Sequence, residues 1–76
     1  MKTTILFCGN QIPVYLEKTQ HKKAMNKLTE ILHLKLKDSK RLVKKFLYSL
    51  DSIEIVGGDA ILYSKNNLDT LALSLY

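Results

Sequence analysis

The stretch from Asp38 to Tyr63, DSKRLVKKFLYSLDSIEIVGGDAILY, holds the change of period that decides the fold. In its first half, apolar residues recur at Leu42, Val43, Phe46, Leu47 and Leu50. This i, i+1, i+4, i+5, i+8 spacing is that of a helix with one buried stripe. Asp38-Ser39 stands where an N-cap is wanted, so the spacing predicts a helix over 39–50. Beyond it, Ile53-Glu54-Ile55-Val56 and Ala60-Ile61-Leu62-Tyr63 flank Gly57-Gly58-Asp59. That is a hairpin signal, because glycine accepts the positive φ of a tight turn. A turn on Gly57-Gly58 or on Gly58-Asp59 gives the same parity, with Ile53 and Ile55 beside Ala60 and Leu62 on a core face. The opposite face, Glu54, Val56, Ile61 and Tyr63, is too apolar to stand fully in water. It is expected to pack on the N-terminal hairpin, on the tail or on another subunit.

Upstream, the period from about Gln20 is also helical: Ala24, Met25, Leu28, Ile31 and Leu32 fall within an arc of about 120° at about 100° per residue. Lys35 would land inside that arc and His33 to Lys37 alternates, so this helix is predicted to end near His33. Earlier still, Thr3 to Cys8 and Val14 to Glu17 are β-like around a Gly9-Asn10 turn signal, which predicts an N-terminal hairpin. Pro13 lacks a ladder donor, so the second run is placed at a sheet edge or begun after Pro13. In the tail, Leu68, Leu71, Ala72 and Leu75 suit a short helix, whereas Leu71, Leu73 and Leu75 suit a strand, and the strand is preferred. The fold class is therefore α+β, a single domain over residues 1–76 in the order ββααββ with a final strand or helix.

The charge is as uneven as the period. Ten of the twelve Lys and Arg residues lie between Lys18 and Lys45, where only Glu30 and Asp38 oppose them, so this segment is +8 and the rest of the chain −3. A field so localised points to an anionic partner. On the second predicted helix Lys40, Arg41, Lys44, Lys45 and Tyr48 share the face opposite the apolar stripe, with Lys37 just upstream. The helix N-terminus adds its own positive dipole there. Lys18, Lys22, Lys23 and Lys27 spread around the first helix as ordinary solvated charge.

Several function classes recede. No run approaches the roughly 20 apolar residues of a membrane span, and Ile5 to Cys8 is too short for a secretion signal. Cys8 has no second cysteine to pair with, which suits a reducing, cytoplasmic setting. His21 and His33 have no Cys or carboxylate at ligand spacing, Cys8 has no base assigned to it, and Gly57-Gly58-Asp59 lacks the Lys-Ser/Thr of a phosphate loop. No metal, cofactor or catalytic residue is expected, and the protein is read as a non-enzyme.

Leu28 to Ser64 resembles the central part of a winged helix-turn-helix domain: a helix ending near Leu32-His33, a connector, a capped helix with Val43, Leu47 and Leu50 at spacings 4 and 3, then a Gly-tipped hairpin. The resemblance implies a recognition helix at 39–50 and a wing at 53–63 on duplex DNA. It further implies phosphate contacts from Lys37, Lys40, Arg41, Lys44, Lys45 and Tyr48, in a small transcriptional regulator. The chain departs from the pattern in its long connector His33 to Asp38, its N-terminal hairpin and a wing tip without a cation. The small size and apolar outer hairpin face suggest a homodimer. A different class uses the same charge: a small viral or plasmid-encoded inhibitor docking on an acidic protein surface of a host enzyme, anchored by Tyr48, Tyr63, Ile61 and Val56.

Overall fold

A computed structural model describes residues 1–17, 21–65 and 69–76, with the side chain of His21 left aside. The expectations that involve Lys18, Gln20, Leu68 and the His21 side chain lie outside the described residues. The chain runs β1 (Lys2–Phe7), β2 (Asn10–Leu16), α1 (His21–Asp38), α2 (Arg41–Tyr48), β3 (Leu50–Val56), β4 (Asp59–Ser64) and β5 (Thr70–Ser74). The strands make one sheet in sequence order, β1-β2-β3-β4-β5. Every neighbouring pair is antiparallel except β2 and β3, which are parallel through Val14↔Ile53, Tyr15↔Glu54 and Leu16↔Ile55. A parallel pair requires a crossover long enough to return the chain to the same end of the sheet, and α1 and α2 are that crossover.

The alternation read in the sequence matches the sheet's two faces. Phe7, Ile12, Val14, Leu16, Ile53, Ile55, Ala60, Leu62 and Leu73 are buried on one face, against Ala24, Leu28 and Leu32 of α1 and Leu47 of α2. Ile53↔Leu62 and Ile55↔Ala60 pair as the hairpin parity requires. The tail is a strand, and it extends β3 and β4 into a meander.

Five sequence expectations are corrected. The first turn is Cys8-Gly9 and not Gly9-Asn10: both carry positive φ, 52° and 78°, and Phe7↔Asn10 closes the ladder. Two positive-φ residues make the tight primed turn whose twist suits a hairpin. Pro13 lies inside an inner strand. Its missing donor is harmless, because the Leu16 N–H to Met1 carbonyl bond fixes the ladder parity so that Pro13 nitrogen points toward β3, and the β2–β3 pairing begins only at Val14. The first helix continues past His33 to Asp38, because Leu34-Lys35-Leu36-Lys37 are strong helix formers whose short alternation carries less weight than propensity. Eighteen residues span about 27 Å, more than the five- to seven-residue strands below. Lys35 falls on the apolar stripe yet is exposed, while Leu36 beside it is half-buried against the core.

The second helix is shorter than 39–50. Its N-cap is Lys40, extended and without a side-chain cap bond, while Asp38 closes α1. Ser49 ends it by donating its N–H to the Lys45 and Phe46 carbonyls, and Leu50 already belongs to β3. Leu50 and Leu47 are buried and Val43 and Phe46 half-buried, but Leu42 is 82% exposed. It stands on the flank of α2 that overlooks β5. Finally, two of the three covers expected for the outer sheet face, the N-terminal hairpin and the tail, do not lie on it, and no other described residue of the chain does. The N-terminal hairpin and the tail join the sheet edgewise, and Val56 stays 41% exposed.

Urea denaturation checks this assignment of faces. Leu28→Ala is expected to remove about 2–5 kcal/mol of stability, whereas Leu42→Ala, on the stripe in sequence but outside the core, is expected to change it by less than about 0.5 kcal/mol.

Candidate functional site: the outer face of the second helix

At about 100° per residue, Lys44, Tyr48, Arg41 and Lys45 occupy an arc of about 100° on α2. Val43 and Leu47 hold the opposite side of the helix on the core. Arg41 and Lys45 are exposed, Tyr48 is 59% exposed and Lys44 is half-buried. Lys40 joins them from the N-cap, and Lys37 from the last turn of α1 across the short Ser39-Lys40 connector. Lys37 and Lys40 therefore flank the α1–α2 junction, and Arg41, Lys44, Lys45 and Tyr48 follow along α2, with Tyr48 at its far end. From Lys35 to Tyr48 six cations face one carboxylate, Asp38. Among the described residues none of these cations is held in an ion pair. Unneutralised cations beside a helix N-terminus make an electropositive surface that an anion can reach without displacing a protein carboxylate.

The other expected anchors do not meet there. Val56, Ile61 and Tyr63 lie on the outer sheet face, on the far side of the sheet from Tyr48. The Gly57-Gly58 turn is also remote: it closes β3 at the end opposite Ser49, about 20 Å away along seven residues. Its hairpin stands in the middle of the sheet between β2 and β5. Tyr76 packs on the turn, so a Cβ at Gly58 (φ 87°) would lie 3.2 Å from the Tyr76 ring.

Local reading had not assembled the outer face itself, because cross-strand register is needed to build it. Lys2, Tyr15, Glu54, Ile61 and Ala72 form one continuous row through all five strands, and Ser52, Tyr63 and Thr70 form a second. The Lys2 ammonium sits 5.8 Å from the Tyr15 ring centroid, and the Tyr63 hydroxyl donates to Glu54 Oε1 at 3.1 Å. A shallow groove of about 320 Å³ lies between Met1, Lys2, Tyr15, Glu17, Glu54 and Val56.

No group of three metal-ligating side chains occurs among the described residues. His33 is exposed, with its ring 5.9 Å from that of Phe7. Burial pushes the Cys8 thiol above its ordinary value of 9.0, which keeps it protonated and poorly nucleophilic at neutral pH. Tyr63 is likewise raised above 10.0, first by its hydrogen bond to Glu54, then by burial and by the Glu54 charge. No described helix is long and apolar enough to cross a membrane.

Both raised groups have one consequence for pH. The folded chain holds these two protons to higher pH than the unfolded chain, so unfolding releases protons in this range. Their contribution is complete below the ordinary values of 9.0 for Cys8 and 10.0 for Tyr63, and is lost as pH rises from there through the higher folded values. Denaturation midpoints measured from about pH 7 to 10.5 are expected to fall in that window, less steeply in Tyr63→Phe; an unchanged slope in the variant would contradict the Glu54 bond. Comparison with protein-family models, with curated proteins and with solved structures found no match to this chain.

Proposed function

We propose that the protein is a noncatalytic nucleic-acid-binding protein that takes duplex DNA on the outer face of α2, as a small transcriptional regulator does. The observation that carries this reading is the cluster Lys37, Lys40, Arg41, Lys44 and Lys45 with Tyr48: unpaired cations on the rim of a helix, backed by a packed core that fixes their spacing. In this reading the lysines contact phosphates and set position. Arg41, at the exposed first turn, presents the planar fork that suits a guanine edge, and Tyr48 offers its hydroxyl to a phosphate oxygen. The β3–β4 hairpin is left out of the contact, since it lies within the sheet and its turn is at the far end of β3 from α2. The single thiol at Cys8 suits a reducing, cytoplasmic setting.

A second reading draws support from Leu42 and Tyr48, which are 82% and 59% exposed beside the same cations. Apolar and aromatic groups among positive charges also suit an acidic protein surface. The separation of Tyr48 from Val56, Ile61 and Tyr63 confines that docking site to α2 and its flank.

The test is a duplex titration across a salt series. Binding at low salt is expected to be tighter than about 10⁻⁴ M, the weak end of nonspecific association. Replacing Lys40, Arg41, Lys44 and Lys45 with Gln is expected to lower affinity at least about tenfold and to flatten the log K against log salt slope by about three to four, near 0.9 per phosphate contact. Circular dichroism should stay unchanged, because these side chains lie outside the core. Binding no tighter than about 10⁻⁴ M, or an unaltered quadruple variant, would overturn the proposal. Retention of one stoichiometric protein at high salt after nuclease treatment would select the second reading.

A further inference from the structure

The two edges of the sheet are not alike, and we infer that the β5 edge is where a second copy of this chain docks, strand against strand about a two-fold axis. The inference does not depend on what α2 binds.

The backbone carries the first part. Leu75 donates its N–H to the Gly58 carbonyl at 2.9 Å, and Ser64 donates to the Asp69 carbonyl at 3.3 Å. The intervening register is regular from Asp59↔Ser74 to Tyr63↔Thr70. In an antiparallel ladder the bonded pairs alternate, so positions 69, 71, 73 and 75 point their peptide groups at β4. Thr70, Ala72 and Ser74 point theirs outward, with no backbone partner among the described residues. Placed on a two-fold at Ala72, Thr70 of one copy faces Ser74 of the other. The two strands then close about six backbone hydrogen bonds. The edge is self-complementary, as a closed dimer requires.

Chemistry separates this edge from the other candidates. From Thr70 to Tyr76 there is no charged side chain and no Pro, none of the devices that usually keep an edge strand from pairing. The β1 edge starts with Lys2, and the outer helix surface carries the cations that would repel a copy of itself. Above the β5 edge the neighbouring apolar groups are also uncovered. Leu42, Val43, Phe46, Thr70 and Leu71 line a groove of about 240 Å³ together with Asp69, and Leu42 at its lip is the most exposed large apolar residue described. A two-fold at Ala72 sets the two α2 flanks toward each other and covers these residues, with Lys45 at the rim of the contact beside Leu42, Phe46 and Asp69, while Arg41 and Lys44 stay outward.

Five paired residues span about 17 Å at about 3.4 Å each. With the α2 flank above them the contact buries under about 1,000 Å² in total, the range of weak, reversible interfaces. Association is therefore expected at tens of micromolar.

Sedimentation equilibrium of the full chain from about 1 μM to about 1 mM, a range that brackets such a constant, tests this. Expected is a reversible transition from 8.7 kDa to twice that mass. Ala72→Pro removes an outward N–H without touching the β4 ladder, and Leu42→Gln alters a side chain outside the core. Each is expected to raise the dissociation constant at least about tenfold, while Thr4→Pro on the outward positions of β1 leaves it unchanged. If Ala72→Pro fails to fold, Leu42→Gln still decides. A chain that stays monomeric throughout, one that grows beyond the dimer through β5-to-β1 pairing, or a Thr4→Pro effect as large as that of Ala72→Pro would overturn the inference.

Discussion

The parallel pairing of β2 with β3 is the constraint from which the other features follow. Three residue pairs from Val14↔Ile53 to Leu16↔Ile55 join the N-terminal hairpin to the C-terminal meander. Because the strands are parallel, everything between them must cross one face of the sheet. That places α1 and α2 in a single layer, buries one stripe of each, and turns the rest of the most basic segment of the chain outward. The same step leaves the other sheet face uncovered and sends β1 and β5 to opposite edges. Core, charged surface and the position of the β5 edge are thus three results of one connection.

The energetics divide along the same line. A domain of 76 residues has little core to spare, and its buried side chains lie almost wholly between the helices and one sheet face. Lys40, Arg41, Lys45 and Tyr48 contribute little to that core, so their chemistry is free to serve association. Leu42 is the telling exception to apolar patterning: it keeps the helix period but not the burial, because α2 is eight residues long and its flank lies at the rim of the sheet.

Much of this was legible locally. The 3.6-residue period locates both helices, the period-2 alternation locates the β3–β4 hairpin with its correct parity, and the charge count locates the basic segment from Lys18 to Lys45. Boundaries were less legible. Lys35 on the apolar stripe argued for an early stop, but its side chain is exposed near the helix end while Leu36 beside it is half-buried on the core. Asp38-Ser39 looked like a cap, yet Asp38 finishes the preceding helix. What sequence could not show was pairing between distant strands. Nothing local says that Tyr15 stands beside Glu54, that Val56, Ile61 and Tyr63 face away from Tyr48, or that the tail forms an edge. Those facts depend on register across a crossover of more than thirty residues.

The proposed function puts a polyanion on the helical face of the sheet, and a single experiment addresses it. Backbone amide shifts recorded while a short DNA duplex is added report which face is touched, residue by residue. The largest changes are expected on residues 37–48, with Tyr15, Ile61 and Tyr63 spared. Changes concentrated on Tyr15, Glu54 and Tyr63 instead would place the contact on the open sheet face and contradict the proposed function.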